Sequence, residues 1–280
     1  MSRPTSTESL AFDAVRHWAT AAMRLAEGMA AGGLDATQKG APFDLLTPAD
    51  EAIERHLRGE IRGRFPDHGF LGEEAGGATG PNAWQWVVDP IDGTLNYATG
   101  LAGAACSIAL LRDGEPVVGA IADFSARRVY RSLAGSGVIL CDDGAGEADR
   151  RPAWSPAGSA RIFIEWGWEG LDPVMTGTIE ALSHGRSRVL RIVGGAAYAM
   201  LNVALHGGCF LGIDLRLWDV AAGIVLAREA GLEVRVWDEE TSIHVIAGSA
   251  DDLRELAPIV ERFGSSAGSP YRRSLGRVKT

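Results

Sequence analysis

The 280-residue sequence predicts an α+β protein, with an N-terminal half of helices and a largely antiparallel sheet and a C-terminal α/β half. Three observations carry this reading. Apolar residues recur at helical spacing near the N-terminus. Short apolar runs separated by turn residues follow. Beyond about Ala160, strand and helix patterns alternate.

The first helix is expected over Leu10 to Met29, with Val15, Trp18, Ala22 and Leu25 on one face, and it runs into a loose stretch, Ala30 to Phe43, read as a mobile loop. A second helix is announced by Thr47 as N-cap, Pro48 at the first helical position and Asp50 three residues after the cap. Ile53, Leu57 and Ile61 follow at i, i+4 spacing. Strands are expected at Gly69 to Gly72, Trp84 to Asp89, Ala105 to Arg112, Pro116 to Asp123 and Arg128 to Leu133, with Asp113-Gly114 as a hairpin turn. The second half then reads as strand Arg161 to Trp166, helix Pro173 to Leu182, strand Arg188 to Val193, helix Ala196 to His206, strand Phe210 to Ile213, helix Trp218 to Ala230, and strands near Leu232 and His244. The Gly, Asp and Pro-rich stretch Asp142 to Ser159 is the expected boundary, which divides the chain into 1–150 and 151–280. Gly264 to Thr280 reads as a basic, Gly/Ser-rich tail.

Composition narrows the function classes. With 27 basic and 36 acidic residues the formal net charge is −9, which disfavours nucleic acid or an anionic membrane as the main partner. It leaves room for a small phosphorylated metabolite, because metal ions among clustered carboxylates reverse the local field. Apolar runs such as Ala104 to Leu111 are too short to span a bilayer, and Met1 to Leu10 lacks the basic and apolar regions of a secretory signal, so a cytoplasmic protein is expected. Cys106, Cys141 and Cys209 are odd in number and far apart, which argues for buried thiols over disulfides or zinc. His68, His206 and His244 likewise show no zinc spacing. Gly135-Ser136-Gly137 reads as a turn, and Trp84, Trp166 and Trp168 as packing or rim residues.

The chemistry concentrates at Trp86-Val87-Val88-Asp89-Pro90-Ile91-Asp92-Gly93-Thr94. An acid ends an apolar strand and a second follows three residues later, with Pro and Gly shaping the turn between. Two such carboxylates and the Ile91 carbonyl suit Mg²⁺, while Gly93 and Thr94 look like the start of a short helix whose free N–H groups favour phosphate. Asp, Pro and Gly are also common turn residues, so this segment alone fits a capped turn equally well. Leu71-Gly72-Glu73-Glu74 and Leu217-Trp218-Asp219 add acids at a strand end and a helix start. Each also has an ordinary explanation, as a solvated loop and as a first-turn acid.

Taken together, Gly72-Glu73-Glu74, Asp89-Pro90-Ile91-Asp92-Gly93-Thr94 and Trp218-Asp219 resemble the signature set of the inositol monophosphatase family, within the Mg²⁺-dependent, Li⁺-sensitive sugar phosphatases. The resemblance runs from about Lys39 to Gly248 and includes Asp44-Leu45-Leu46-Thr47-Pro48-Ala49-Asp50 and the hairpin Ser107 to Phe124. It implies a layered αβαβα fold, a homodimer, and hydrolysis of a small phosphate monoester by metal-activated water. Carried over by position, it implies a first magnesium on Glu73, Asp89 and the Ile91 carbonyl, and a second on Asp89, Asp92 and Asp219. A third, weaker ion would lean on Glu73. The same resemblance makes Thr94 and Asp50 the pair that orients and deprotonates the water, with Glu73 beside them. Asp92, Gly93, Thr94, Gly195 and Ala196 would face the substrate. Two divalent ions roughly 3.5–4 Å apart suit in-line displacement at phosphorus. Asp50 can also complete a capping box with Thr47, and the two roles can coexist. Lys39 aligns with a basic residue near the third ion or the phosphate, and reads equally as a solvated loop lysine.

Downstream the pattern departs from an inositol phosphatase. Gly212 replaces the acid expected seven positions before Asp219, Asp214 lies nearby, and Gly194-Gly195-Ala196-Ala197 stands where a Gly-Thr-Ala-like segment is usual. Arg191 and Arg216 are candidate contacts for a second anionic group. Histidinol phosphate, fructose 1,6-bisphosphate and 3′-phosphoadenosine 5′-phosphate therefore stand beside inositol phosphate as substrates. A non-catalytic metal- or phosphate-binding protein is the rival from another class.

Overall fold

A computed structural model describes residues 4–30, 36–39, 45–78, 80–141, 160–167, 182, 188–238 and 243–265. The expected boundary at 142–159, most of the helix expected at 173–182, Trp168 and the tail beyond 265 lie outside these residues.

Helix α1 (Ser6–Ala30) and helix α2 (Pro48–Arg64) open the fold. Between them, β1 (Thr37–Gln38) pairs antiparallel with β2 (Leu45–Leu46), so part of the stretch expected as a loose loop is extended and paired. Thr47 and Pro48 start α2 as expected. A sheet of seven strands follows in the order β4 (Gly76–Ala78), β3 (Gly69–Gly72), β5 (Trp84–Asp92), β6 (Ala105–Arg112), β7 (Glu115–Asp123), β8 (Arg128–Leu133), β9 (Ile139–Cys141). All its neighbouring pairs are antiparallel except β3 with β5. The short helix α3 (Thr94–Thr99) sits at the C-terminal end of β5.

The second sheet has five strands in the order β11 (Val189–Arg191), β10 (Arg161–Trp166), β12 (Cys209–Leu215), β14 (Ile243–Gly248), β13 (Glu233–Asp238). Here β10 runs parallel to both β11 and β12, while β14 is antiparallel to β12 and β13. Helices α4 (Ala196–His206) and α5 (Leu217–Glu229) lie between the two sheets. Ala250–Ser265, unassigned from sequence up to residue 263, forms helix α6, which takes in the first two residues of the expected tail. Its apolar residues Leu253, Leu256, Ala257 and Val260 return to the outer face of the second sheet.

The apolar side chains sort into the layers. Val15, Trp18 and Ala22 of α1 and Ile53, Leu57 and Ile61 of α2 bury against Trp86, Val88, Ile108 and Val118 on one face of the first sheet. On the opposite face, Val87, Ala109, Leu111 and Ile121 meet Ala197, Leu201, Ala221 and Leu226 of α4 and α5. Those helices turn Met200, Val203, Val220 and Ile224 to Phe163, Phe210 and Val245 of the second sheet. The result is the layer sequence helix, sheet, helix, sheet, helix, and α4 and α5 are apolar on both sides because both sides are covered.

Packing also settles several minor readings. Trp86 meets Trp18 edge-on, lies tilted against Phe65 and stacks on His68, and its indole N–H donates to His68 Nδ1 at 3.1 Å. His244 Nδ1 accepts the Asp214 N–H at 2.9 Å. The Gly135 and Gly137 N–H groups both go to the Glu229 carboxylate, at 3.0 and 2.8 Å. All three cysteines are free and buried. Among the described residues, no helix is long and apolar enough to cross a membrane.

Candidate active site

The register between β5 and β6 shifts between Asp89 and Asp92. Asp89 pairs with Ser107 and Asp92 with Ala105, so Pro90 and Ile91 together face one residue of β6. This bulge re-aims the two acids from the strand's alternating pattern toward the end of the sheet. Gly93 then turns the chain into α3 at φ 79°, and a Cβ there would lie 2.5 Å from Gly103 O and 3.0 Å from Gly194 O. Only glycine fits both the conformation and the space.

Glu73 and Asp219 are brought to the same end of the sheet by identifiable bonds. The Glu73 N–H donates to Val88 O at 3.2 Å, next to Asp89. Glu54 of α2, almost wholly buried, accepts the Glu74 and Ala75 N–H groups at 2.8 and 3.1 Å and pairs with Arg58. A Cβ on Gly72 would come within 2.5 Å of the Glu54 carboxyl carbon, which explains the glycine ahead of Glu73. On the other side, Ser107, the register partner of Asp89, donates its hydroxyl to Trp218 O at 3.1 Å and so pins the start of α5. Asp219 Oδ2 accepts the Arg216 N–H at 2.7 Å, so its helix-start role is real as well.

Asp89 is 2% exposed, and its Oδ1 has no hydrogen-bond partner among the described residues. Burial first, then the negative charges of Glu73, Asp92 and Asp219, hold its carboxyl well above the usual range. Asp219 is displaced in the same direction by burial, partly relieved by the Arg216 N–H, with Asp92 and Glu73 adding to the rise. Asp92 is pushed up to about 7, mainly by burial; the Tyr198 N–H pulls it down and the Glu165 charge pushes it further up. Its two oxygens accept the Ala196 N–H at 2.9 Å and the Tyr198 N–H at 3.1 Å, at the N-terminus of α4.

Burial and the neighbouring acids raise Asp89, Asp92 and Asp219, and one buried oxygen of Asp89 lacks a partner, which makes these three with Glu73 a candidate cation site. Their hard oxygens suit magnesium. Among the described residues, no three acidic, imidazole or thiol groups already stand in a coordination shell. Lys39 Nζ bridges Glu73 Oε1 at 3.0 Å and Glu74 Oε1 at 2.5 Å, and Asp92 and Asp219 accept backbone N–H groups. Burial works against the Lys39 charge, but Glu73 and Glu74 outweigh it and its pKa rises. Lys39 is thus tied to two carboxylates.

Asp50 is fully buried. Its Oδ2 accepts the Thr47 N–H at 2.8 Å and the Thr47 hydroxyl at 2.5 Å, which closes the α2 cap. Its Oδ1 lies 3.4 Å from Thr94 Oγ1, whose shorter bond, 2.9 Å, goes to Ile91 O. One carboxylate thus serves the cap and faces Thr94. Burial is the main cause that pushes Asp50 up to about 6, against the Thr47 bonds.

Gly195 extends beside Asp92, and a Cβ there would meet Gly103 O at 2.5 Å and Asp92 Oδ2 at 2.9 Å. This glycine is enforced by a tight approach, beyond the looser loop expected from sequence. At Gly212 a Cβ would meet Leu215 and Phe210 side chains at 2.6 and 2.7 Å, so no room is left for an acid in this arrangement. Sequence reasoning passed over Glu54, Asn96 and Glu165. Glu165 carried a readable signal, since Ile162-Phe163-Ile164-Glu165 repeats the pattern of an acid ending an apolar strand.

Comparison with known proteins gives one consistent answer. Residues 7–264 match the family model described as the inositol monophosphatase family. The inositol-1-monophosphatase of Rhizobium meliloti is 35% identical over 206 residues, 71% of this chain and 74% of that one. A Thermotoga maritima protein named fructose-1,6-bisphosphatase/inositol-1-monophosphatase is 29% identical over 205 residues, 71% of this chain and 75% of its own. Among solved structures, Mycobacterium tuberculosis SuhB superposes with a TM-score of 0.73 at 28% identity, covering 91% of this chain and 96% of that chain.

Proposed function

Because the chain belongs to the inositol monophosphatase family, we propose that it is a phosphomonoesterase that hydrolyses a small phosphate monoester with magnesium at the cluster of Glu73, Asp89, Asp92 and Asp219. The observation that carries the reading is the buried Asp89 carboxylate, with one oxygen unpartnered and three other acids around it.

Glu73, Asp89, Asp92, Asp219 and the Ile91 carbonyl are the residues to hold two ions, with Glu73 and Lys39 beside the place of a third. Magnesium, when bound, supplies Lewis acidity to a water and neutralises phosphate charge. The protein's own groups do the rest. The N–H groups that open α3, at Gly93 and Thr94, have no acceptor one turn back in the helix and suit a phosphate oxygen. Thr94 Oγ1 orients the attacking water, and Asp50, 3.4 Å away and poised at about 6, takes the proton passed through it. This requires the Thr94 hydroxyl to turn from Ile91 O, a rotation about one side-chain bond. The attack is direct, and no covalent intermediate on the protein is needed. Gly195 and Ala196 border the substrate beside Asp92, with the Ala196 N–H already committed to Asp92.

The apolar surroundings of Gly212 disfavour an inositol hydroxyl contact there, and the substrate is better sought among other polyol, sugar, amino-alcohol or nucleotide phosphates. The test is phosphate release, with and without Mg²⁺, from inositol 1-phosphate, histidinol phosphate, fructose 1,6-bisphosphate, 3′-phosphoadenosine 5′-phosphate and glycerol 2-phosphate. One substrate with kcat/KM of about 10⁴ M⁻¹s⁻¹ or more is expected. No Mg²⁺-dependent release from any of them would move the protein to the metal- or phosphate-binding class. Li⁺ inhibition and a homodimer belong to the same proposal, checked by a Li⁺ dose series and by light scattering.

A further inference from the structure

The Glu165 carboxylate, one residue before the end of β10, is 6% exposed and is not a member of the proposed metal set. Its Oε1 accepts the Val193 N–H at 2.8 Å and the Gly194 N–H at 3.2 Å, and Oε2 also reaches the Gly194 N–H at 3.2 Å. From the opposite side, Asn96 Nδ2 donates to Val193 O at 2.7 Å and to Gly103 O at 3.3 Å. The peptide between β11 and α4 is therefore held by its donors on one side and by an acceptor on the other. Two residues later the chain gives its Ala196 and Tyr198 N–H groups to the two oxygens of Asp92. Gly195 lies between these anchors, with no space for a Cβ.

We infer that Glu165 and Asn96 are positioning residues: together they set the 193–198 backbone so that the start of α4 orients the Asp92 carboxylate. The inference rests on the reading above that places Asp92 in the active site. A side-chain oxygen suits the task because adjacent N–H groups converge on it in a site closed to water, where a donor left without an acceptor is costly. Asn96 suits its place because one amide group reaches two carbonyls on different segments, β5–β6 and β11–α4. Neither residue needs to touch substrate.

The test combines amide hydrogen exchange of the metal-free protein with steady-state kinetics. Glu165→Ala is expected to speed exchange at Ala196 and Tyr198 by about tenfold or more, leave the β5–β7 core protected, and lower kcat/KM about 10- to 100-fold. Glu165→Gln keeps an oxygen for both N–H groups and is expected to restore exchange and kinetics to within about threefold of the starting protein. Asn96→Ala removes the opposite anchor and is expected to mimic Glu165→Ala; it keeps the inference testable if that variant does not fold. Faster exchange at Ala196 and Tyr198 supports positioning even if the parent protein turns over no phosphomonoester, in which case the phosphatase reading alone fails. Unchanged exchange at those two amides in both alanine variants overturns the inference, whatever happens to turnover.

Discussion

Raising the pH should destabilise the magnesium-free protein, and the sign follows from the direction of the displaced acids. Burial pushes Glu165 up to about 7 from 4.5, and Asp50 up to about 6 from 3.8. A carboxyl whose folded pKa lies above its unfolded value binds protons more tightly when folded, so folding is favoured at low pH and loses stability as pH rises between the two values. For Glu165 that loss amounts to about 2–3 kcal/mol between pH 5 and 8, and for Asp50 to about 1 kcal/mol, from 1.36 kcal/mol per pKa unit. Asp89, Asp92 and Asp219 act in the same direction. Against a usual total of about 5–15 kcal/mol the change is large. Urea unfolding after EDTA treatment should therefore give a lower midpoint at pH 8 than at pH 5, with an unchanged slope. Mg²⁺ added at pH 8 should restore more stability than the same addition at pH 5. An EDTA-treated protein equally or more stable at pH 8 would refute the reasoning, because the acids would then be solvated or otherwise paired.

Three further outcomes are expected. Asp89→Ala should lower kcat/KM by at least about 10³-fold, equivalent to about 4 kcal/mol of transition-state stabilisation, while the urea midpoint of the metal-free protein stays level or rises, since a buried carboxyl with an unpartnered oxygen has gone; retained turnover removes the metal assignment. Glu54→Ala should destabilise by about 2–4 kcal/mol and weaken Mg²⁺ binding, because two N–H groups and Arg58 lose their acceptor; thermal melts and Mg²⁺ titration by calorimetry check it. Lys39→Ala should strengthen Mg²⁺ binding, because Glu73 is freed from a competing cation; unchanged affinity in the same titration would show that the bridge does not compete.

Much of the fold was legible because its signals are local. The α2 start is written in consecutive residues, Thr47-Pro48, and the hairpin in Asp113-Gly114 between apolar runs. Helix α6 was harder to read. Asp251 and Asp252 open it and Pro258 lies inside it, so its apolar stripe of Leu253, Leu256 and Val260 drew no assignment from the sequence, and its packing is set by the second sheet. The same division holds at the site. Asp89, Asp92 and Gly93 announce themselves within six residues, whereas Glu54 hides on a helix full of charges and matters only because α2 passes beside the turn at 73–75. Asn96 acts across 97 residues of chain, a separation at which sequence spacing carries no geometry.

Asp89 and Asp92 are near neighbours in one bulge and differ in what compensates them. Asp92 receives two N–H groups at the start of α4, where the helix dipole also favours a negative charge, and it settles at about 7. Asp89 receives no such bond at Oδ1, and its carboxyl is held well above the usual range. The need for a cation is therefore greatest at Asp89, while Asp92 is already anchored to the helix layer shared by both sheets. An ion bridging the two would bind one acid that lacks a partner and one that cannot move without disturbing α4. Its affinity would then depend on how α4 is seated, which makes the backbone of 193–198 a determinant of metal binding as well as a boundary of the substrate site.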